Sequence, residues 1–134
     1  MLHGLHHLGL TVRDVERSAA WYTTVLGFER IGEFAAPGGE RRKVFLQHPN
    51  VDVRVGLTEH RAGPSDEFDE TRVGLDHLAF RAGSAAELDE WQARLAKLAV
   101  PHTPVASANS IAGAAVLVFR DPDNIQLEIF FDPS

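Results

Sequence analysis

Two histidines and one glutamate occupy positions in this sequence at which they could hold a divalent metal ion. His7 and His77 lie 70 residues apart, and each directly precedes a run of alternating apolar residues. Glu128 is an acid in the middle of an apolar run. Two neutral imidazoles and one carboxylate can occupy one face of an octahedral ion and leave its other positions for water, oxygen or substrate. The ordinary alternative, two half-buried histidines and a solvated glutamate, does not account for the matched positions of the histidines.

The strands that carry these residues should direct them away from the core. Successive side chains of a strand point to opposite faces, so His7 faces away from Leu8, and His77 faces away from Leu78. Glu128 likewise faces away from the apolar set of its own strand, which is Ile125, Leu127, Ile129 and Phe131. If two such sheets curve toward each other, the three polar side chains converge in the cleft between them.

The first half of the chain predicts the element order β-α-β-β-β. A strand runs from Leu5 to Val12 by its period of two. Asp14 can cap a helix that Gly27 ends in a left-handed conformation. Three further strands are expected at Phe28 to Phe34, Lys43 to Gln47 and Val51 to Leu57, separated by turns that contain proline, glycine and asparagine.

The second half repeats that order. A strand is expected from Leu75 to Phe80, followed by a helix that opens with the capping box of Ser84 and Glu87 and ends by Pro101. Three more strands are predicted at His102 to Ser107, Ala114 to Phe119 and Ile125 to Phe131, the last after the turn residues 121–124.

The two halves align at a constant offset within each segment. Trp21 answers Trp91 at an offset of 70, and after the helix the offset becomes 72, so that Gly56 answers Glu128. This register predicts an α+β fold in which two tandem βαβββ modules form a curved mixed sheet around a cleft. We expect a single domain over 1–134, with modules at about 5–58 and 74–132 and a linker at about 59–73. The predicted core comprises Leu8, Leu10, Leu78, Phe80, Leu88, Trp91, Leu95, Leu127 and Ile129.

Composition excludes several classes of function. With 13 basic and 19 acidic residues the formal net charge is −6, so no cationic surface is expected for nucleic acid. The absence of cysteine excludes thiolate metal sites and a cysteine nucleophile, and leaves histidine and carboxylate as metal ligands. No targeting segment and no apolar stretch of membrane-spanning length is visible. We expect a cytoplasmic protein without membrane or nucleic-acid partners.

Four sequence strings carry a specific resemblance. They are HLGLTVRD at 7–14, Ser18 with Trp21-Tyr22 and Leu26-Gly27-Phe28, GLDHLAF at 74–80, and DPDNIQLE at 121–128. Through these strings the whole chain resembles the vicinal oxygen chelate (VOC) superfamily, which includes glyoxalases, bleomycin-resistance proteins and extradiol dioxygenases. The resemblance implies that His7, His77 and Glu128 are metal ligands.

One position departs from part of that superfamily. Members with four ligands, such as glyoxalases, place a further Glu or Gln in the fourth strand, where the repeat register puts Gly56. Glycine has no side chain to bind a metal. The site therefore resembles the three-ligand arrangement of extradiol dioxygenases and fosfomycin-modifying transferases, and ordinary glyoxalase I chemistry is disfavoured.

The resemblance implies an enzyme that depends on a divalent metal and acts on a small molecule with vicinal oxygens, of dioxygenase, transferase, lyase or isomerase type. One ion per site is expected, with Fe, Mn, Ni, Co and Zn all compatible with the ligand set. The alternative is a metal-free binding protein of the bleomycin-resistance type. Because modules of this superfamily often pair between chains, we expect a homodimer, in which His7 of one subunit can meet the partner subunit's His77 and the partner subunit's Glu128.

Other polar and aromatic residues are candidates for the same cleft. His102 could act as an acid or base, and Arg81, which has the facing of His77, could bind an anionic group or form a surface ion pair. The predicted substrate wall comprises Thr11, Arg81, Gln126 and Phe130.

The remaining histidines and the single tyrosine are not expected to bind the metal. Alternation directs His6 away from His7, and His3 and His6 should be packed or exposed. We expect His48 and His60 to be solvated, although His60 could also line the mouth of the cleft. Tyr22 should pack in the core.

Overall fold

The computed structural model describes residues 1–63 and 65–134. It divides into two compact units, Met1–Asp66 (unit 1) and Glu67–Ser134 (unit 2). Pro64, part of the predicted linker, lies outside the described residues. Over these residues each unit has one α-helix and one four-stranded sheet. Neither helix of the described chain is both long and apolar enough to cross a membrane.

Unit 1 has the predicted order β-α-β-β-β. Its elements are β1 Leu8–Thr11, α1 Val15–Leu26, β2 Glu29–Ala35, β3 Arg41–Gln47 and β4 Arg54–His60, with a 3₁₀ turn at Pro37–Gly39. The strands lie in the order β1-β4-β3-β2, and β1 is parallel to β4 whereas the other pairs are antiparallel. The sheet is therefore mixed.

Unit 2 repeats this arrangement. Its elements are β5 Leu78–Arg81, α2 Ala85–Lys97, β6 Ala106–Ser107, β7 Ala115–Arg120 and β8 Gln126–Phe131. The strand order is β5-β8-β7-β6, with β5 parallel to β8 and the other pairs antiparallel. The α+β prediction of two tandem βαβββ modules is confirmed.

The ends of α1 form as the sequence predicts. The Asp14 side chain accepts a hydrogen bond from the backbone N–H of Arg17 at 3.0 Å, which satisfies one donor of the first turn. Gly27 ends the helix at a φ of 81°, and its N–H donates to Thr23 O. Glycine suits this position because it adopts left-handed backbone without steric cost.

The capping box of α2 differs from the expected form in one bond. The N–H of Glu87 donates to Ser84 Oγ at 3.3 Å, as predicted. The Glu87 carboxylate accepts from the N–H of Gly83 at 2.7 Å, one residue before the N-cap. At the other end, Ala99 adopts a φ of 54°, so a residue with a Cβ occupies the position that glycine holds in unit 1.

Several predicted strands are displaced or shortened. Strands β1 and β5 begin at Leu8 and Leu78, three residues after the predicted starts at Leu5 and Leu75. Two other changes have clear physical reasons. Strand β4 begins at Arg54 because residues 48–53 fold into a turn, in which His48 N donates to Val53 O at 3.0 Å. The strand predicted from His102 to Ser107 is reduced to β6 and an isolated bridge between His102 and Phe119. Pro104 lacks the N–H that a continuous ladder needs at this point.

The strand pairing confirms the internal repeat. In unit 1, Gly9 of β1 lies opposite Gly56 of β4, and in unit 2, Ala79 of β5 lies opposite Glu128 of β8. The two pairs differ by the offsets of 70 and 72 that the sequence predicts. Gly56 and Glu128 therefore occupy equivalent positions in their sheets.

Helix-facing side chains form the core of each unit. Five predicted core residues are buried, namely Leu10, Leu88, Leu95, Leu127 and Ile129. The other four are only half-buried, namely Leu8, Leu78, Phe80 and Trp91. The expectation of full burial was wrong for Leu8, Leu78 and Phe80 because β1 and β5 are edge strands. Trp91 is half-buried with its ring beside the Arg94 guanidinium.

Candidate functional site

The parallel pairing of β5 and β8 brings two of the predicted metal ligands together. His77 directly precedes β5, in which Ala79 lies opposite Glu128, so the parallel pair places His77 near Glu128. His77 Nε2 lies 3.6 Å from Glu128 Oε2. This separation is beyond hydrogen-bond distance.

Strand β8 separates a core face from a site face. Leu127 and Ile129 are buried beneath α2, whereas Gln126, Glu128 and Phe130 are half-buried on the opposite face. The Glu128 side chain is 15% exposed, and the His77 side chain is 42% exposed. The predicted facing of this strand is confirmed, and its carboxylate is the better shielded member of the pair.

The carboxylate of Asp76, which the sequence analysis did not single out, contacts His77 on the other side of its ring. Asp76 Oδ1 lies 2.7 Å from His77 Nδ1. The Asp76 side chain is 65% exposed. The sequence signal for this contact was a carboxylate directly before a candidate ligand histidine. Strand alternation argued against the contact, because it directs neighbouring side chains to opposite faces.

A hydrogen-bonded series leads from Asp76 into the body of unit 2. The Gln126 amide donates to Asp76 Oδ1 at 3.3 Å, and Arg120 Nη2 donates to Gln126 Oε1 at 3.0 Å. Arg120 also binds both carboxylate oxygens of Glu70, at 2.8 and 3.0 Å. These bonds from Arg120 lower the pKa of Glu70 to about 2. Gln126, a predicted substrate-wall residue, thus has both amide atoms engaged within unit 2.

His7 belongs to unit 1, where it precedes β1. Its Nδ1 lies 2.8 Å from Nδ1 of His6, and the two rings meet edge to face with centroids 5.1 Å apart. The expectation that His6 points away from His7 was wrong because β1 begins only at Leu8, so strand alternation does not govern these two residues. Nη1 of Arg54 reaches His6 Nε2 at 3.5 Å, the limit of a hydrogen bond.

The complete metal triad stays a prediction. In residues 1–63 and 65–134, no group of three or more His, Asp or Glu side chains is arranged to hold a metal ion. Unit 2 supplies the pair of His77 and Glu128. Asp76 adds no third ligand to that pair because it lies against Nδ1, on the opposite side of the imidazole from Nε2.

The position equivalent to Glu128 in unit 1 is covered by an aromatic ring. A Cβ placed on Gly56 would lie 3.8 Å from Phe45 Cδ1 and 3.7 Å from Leu8 O, and the φ of Gly56 is not in the left-handed region. Glycine is therefore not required here by backbone conformation. Phe45, the cross-strand partner of Gly56, is one of several exposed large apolar residues of unit 1.

The other candidates for the substrate wall and for acid–base chemistry differ in exposure and in partners. Thr11 and Arg81 are exposed at the ends of β1 and β5, and Phe130 is half-buried in β8. The Ser134 hydroxyl, and more weakly Arg81, lower the pKa of Asp132. His102 is half-buried with Nδ1 2.7 Å from Val100 O, so that nitrogen donates to a backbone carbonyl. Nε2 is the atom through which His102 could act on a substrate.

Two other histidines and the tyrosine have identifiable surroundings. His48 was expected to be solvated, but it is half-buried, with Nε2 3.2 Å from Leu26 O and its ring against Phe28. His60 is exposed at the end of β4, where it lines a surface depression of about 690 Å³ with Glu40, Arg41 and other residues of unit 1. Tyr22 is fully buried, as predicted.

A family comparison identifies the chain. The model of the Glyoxalase/Bleomycin resistance protein/Dioxygenase superfamily matches residues 4–129. The chain belongs to this superfamily. The resemblance to VOC proteins inferred from the sequence strings is thereby confirmed.

Individual VOC relatives agree with this assignment. A glyoxylase/bleomycin resistance protein/dioxygenase domain from Frankia sp. EAN1pec is 37% identical, covers 98% of both chains and has a TM-score of 0.86. The uncharacterized protein YwkD of Bacillus subtilis (strain 168) is 28% identical over 130 residues, which are 97% of this chain and 98% of YwkD. The fosfomycin resistance protein FosX from Listeria monocytogenes, solved with Mn(II) and sulfate, is 21% identical over 98% and 94% of the chains, with a TM-score of 0.73. The likeness to FosX shows the fold alone.

Proposed function

We propose that this VOC protein is a divalent-metal-dependent enzyme that acts on a small molecule with neighbouring oxygen atoms. The proposed ligands are His7, His77 and Glu128. The observation that supports the proposal most strongly is the 3.6 Å approach of His77 Nε2 to Glu128 Oε2 on the face of β8 opposite the core. If these side chains served only to keep the surface polar, an uncharged pair would do as well. An imidazole and a carboxylate that converge without a mutual hydrogen bond suit a shared cation.

The donor atoms of unit 2 fit such an ion. Nitrogen and oxygen ligands lie at about 2.0 to 2.2 Å from zinc, so two of them around one ion lie at most about 4.4 Å apart. The observed separation of 3.6 Å falls within that limit. A set of two imidazoles and one carboxylate accepts Fe, Mn, Co, Ni or Zn. FosX was solved with Mn(II), which makes Mn²⁺ the first ion to test here.

The bound metal would supply Lewis-acid stabilisation of negative charge on substrate oxygen. The low exposure of Glu128 keeps water from one side of the pair, and charge interactions strengthen as the surroundings become less polar. Phe130 offers an apolar surface on the same face of β8. Arg81 is available to an anionic substrate group, and His102 Nε2 to a proton. The proposed reaction types remain dioxygenation, group transfer, lyase and isomerase chemistry.

The absence of a side chain at Gly56 shapes the proposal. Its equivalence to Glu128 in the strand register makes it the position where a fourth ligand would stand. Gly56 has no side chain to bind a metal, and Phe45 carbons lie beside it, so the proposed site has three protein ligands. We therefore propose chemistry other than that of ordinary glyoxalase I.

Metal analysis of untagged protein tests the proposed function. We expect about one equivalent of Mn, Fe, Co, Ni or Zn per chain after purification or after addition of the ion, and loss of binding in His77→Ala. His60→Ala is the matched control, because His60 is also an exposed histidine at a strand end. A wild-type chain that binds none of these ions contradicts the proposal and favours a metal-free ligand-binding protein of the bleomycin-resistance type.

We also propose that the chain acts as a homodimer with a small-molecule substrate. Each unit has a short four-stranded sheet with an exposed edge, and units of this size bury a limited core. Exposed apolar side chains of unit 1, including Ile31, Phe34 and Phe45, offer surface for such pairing. Light scattering at micromolar concentration should give twice the chain mass, and a monomer mass contradicts this part.

A further inference from the structure

The contact between Asp76 and His77 determines which nitrogen of His77 carries the proton. Asp76 Oδ1 lies 2.7 Å from His77 Nδ1. An ionised carboxylate only accepts hydrogen bonds, so Nδ1 of His77 is the donor. In the neutral form of this imidazole, which has one N–H, Nε2 is then left with a free lone pair. That atom is the one that faces Glu128 Oε2.

Asp76 is held in this contact by residues of two other segments. Its side chain is 65% exposed, and an exposed side chain without further partners has many rotamers available. Gln126 on β8 donates to the same oxygen, Oδ1, that His77 contacts. Gln126 is in turn oriented by Arg120, which Glu70 fixes through two hydrogen bonds. The series from Glu70 to His77 thus restrains both Asp76 and the imidazole.

Unit 1 contains the equivalent series with different chemistry. Arg54, His6 and His7 correspond to Gln126, Asp76 and His77 at the offsets of 72, 70 and 70. Nη1 of Arg54 lies 3.5 Å from His6 Nε2, and His6 Nδ1 lies 2.8 Å from His7 Nδ1. The residue before each histidine therefore contacts its Nδ1 in both units, through an imidazole in unit 1 and through a carboxylate in unit 2.

We infer that Asp76 is a positioning residue, which holds His77 in the Nδ1–H tautomer and presents its Nε2 lone pair toward Glu128. The inference rests on the proposed function only where it takes Nε2 for a metal-binding atom. Carboxylates that accept from the second nitrogen of a ligand histidine fix its ring orientation, and their loss typically reduces metal affinity about 10- to 100-fold.

Nitrogen-15 NMR of the metal-free protein tests the tautomer directly. Long-range ¹H–¹⁵N correlation spectra distinguish a protonated from a bare ring nitrogen, and a His77→Gln variant identifies the His77 signals. We expect the Nδ1–H form in the wild type and a shift toward the Nε2–H form in Asp76→Ala. Asp76→Asn should retain the wild-type form, because its amide oxygen still accepts from Nδ1. Asp89→Ala, which removes an exposed carboxylate from α2, is the control and should change nothing.

Metal titration separates this inference from the proposed function. We expect Asp76→Ala to weaken Mn²⁺ binding about 10- to 100-fold, and Asp76→Asn and Asp89→Ala to weaken it less than about twofold. A wild type that binds no metal but shows the Asp76-dependent Nδ1–H form contradicts the proposed function and supports the positioning role. An Nε2–H form of His77 in the wild type, or an unchanged tautomer in Asp76→Ala, overturns the inference.

Discussion

Replacement of Ala99 by glycine should stabilise the protein. Ala99 follows α2 at a φ of 54°, and left-handed backbone costs a residue with a Cβ about 1 to 2 kcal/mol. Glycine in its place has more freedom in the unfolded chain, which opposes the gain by about 0.4 to 1 kcal/mol. Since Ala99 is exposed, no packing is lost. The net expectation is a gain of about 0.5 to 1 kcal/mol, or a rise in Tm of about 2 to 4 °C for a chain of this length.

The reverse change in unit 1 and a change within α2 are the controls. Gly27→Ala should lower Tm, because φ at this position is 81° and the added Cβ meets only His48 Nε2 at 3.6 Å. Ala93→Gly, at an exposed position inside α2, should also lower Tm, since glycine is unfavourable within helices by about 1 kcal/mol. Thermal melts by circular dichroism measure all three variants. A fall in Tm for Ala99→Gly refutes the argument and the equivalence of the two helix ends.

Three further predictions concern the stability of the fold. The pKa of Glu70 is lowered from 4.5 to about 2 by Arg120, so the stabilisation from this pair is complete above pH 4.5 and is lost as the pH falls toward 2. Over this range Tm should therefore fall more for the wild type than for Glu70→Gln. An equal fall of Tm with pH in the two proteins would show that the pair adds nothing to stability. Leu127→Ala should lower the free energy of unfolding in a urea melt by about 2 to 5 kcal/mol, because Leu127 is fully buried. Leu75 is exposed, and Leu75→Ala should lower it by less than about 0.5 kcal/mol. Similar losses in the two variants would contradict the assigned facing of β8. Gly56→Ala should leave Tm unchanged or raise it, because the backbone is not left-handed and the new Cβ has ordinary contacts; a fall beyond about 4 °C would show that Phe45 cannot accommodate the methyl group.

The order of elements and the register could be predicted from local signals in the sequence. Asp14 and Gly27 marked the ends of α1 through backbone chemistry that does not depend on tertiary contacts. The equivalence of Gly56 and Glu128 followed from the repeat, and the parallel strand pairs confirm it. The ends of strands were less predictable, because proline at 104 and the turn at 48–53 interrupt ladders that the apolar pattern alone would continue.

The contacts around the candidate ligands could not be predicted from the alternation of side chains along a strand. His6 and His77 both lie just before a strand begins, so a period of two does not fix their directions. The contact of Asp76 with His77 involves neighbours in sequence, but its support by Gln126 joins residues 50 apart. A position such as Glu70, which binds Arg120 across the same span, has no local pattern that would reveal its partner.

His6 is not a neutral control position for metal binding. Strand alternation would direct His6 away from His7 and make His6→Ala a neutral variant. Because His6 Nδ1 contacts His7 Nδ1 at 2.8 Å, removal of His6 alters the surroundings of a proposed ligand. His60, exposed at the end of β4, is the suitable control histidine.

The central claim is that His7, His77 and Glu128 hold one divalent metal ion. Calorimetric titration of Mn²⁺ and Zn²⁺ into the wild type and into His7→Ala, His77→Ala, Glu128→Ala and His60→Ala tests it most directly. We predict about one ion per wild-type chain and unchanged binding in His60→Ala. Each ligand variant should lose more than about 100-fold in affinity, beyond the usual effect of a supporting residue, while its metal-free Tm stays close to that of the wild type. Absence of binding by the wild type, or equal affinity in all five proteins, would contradict the claim.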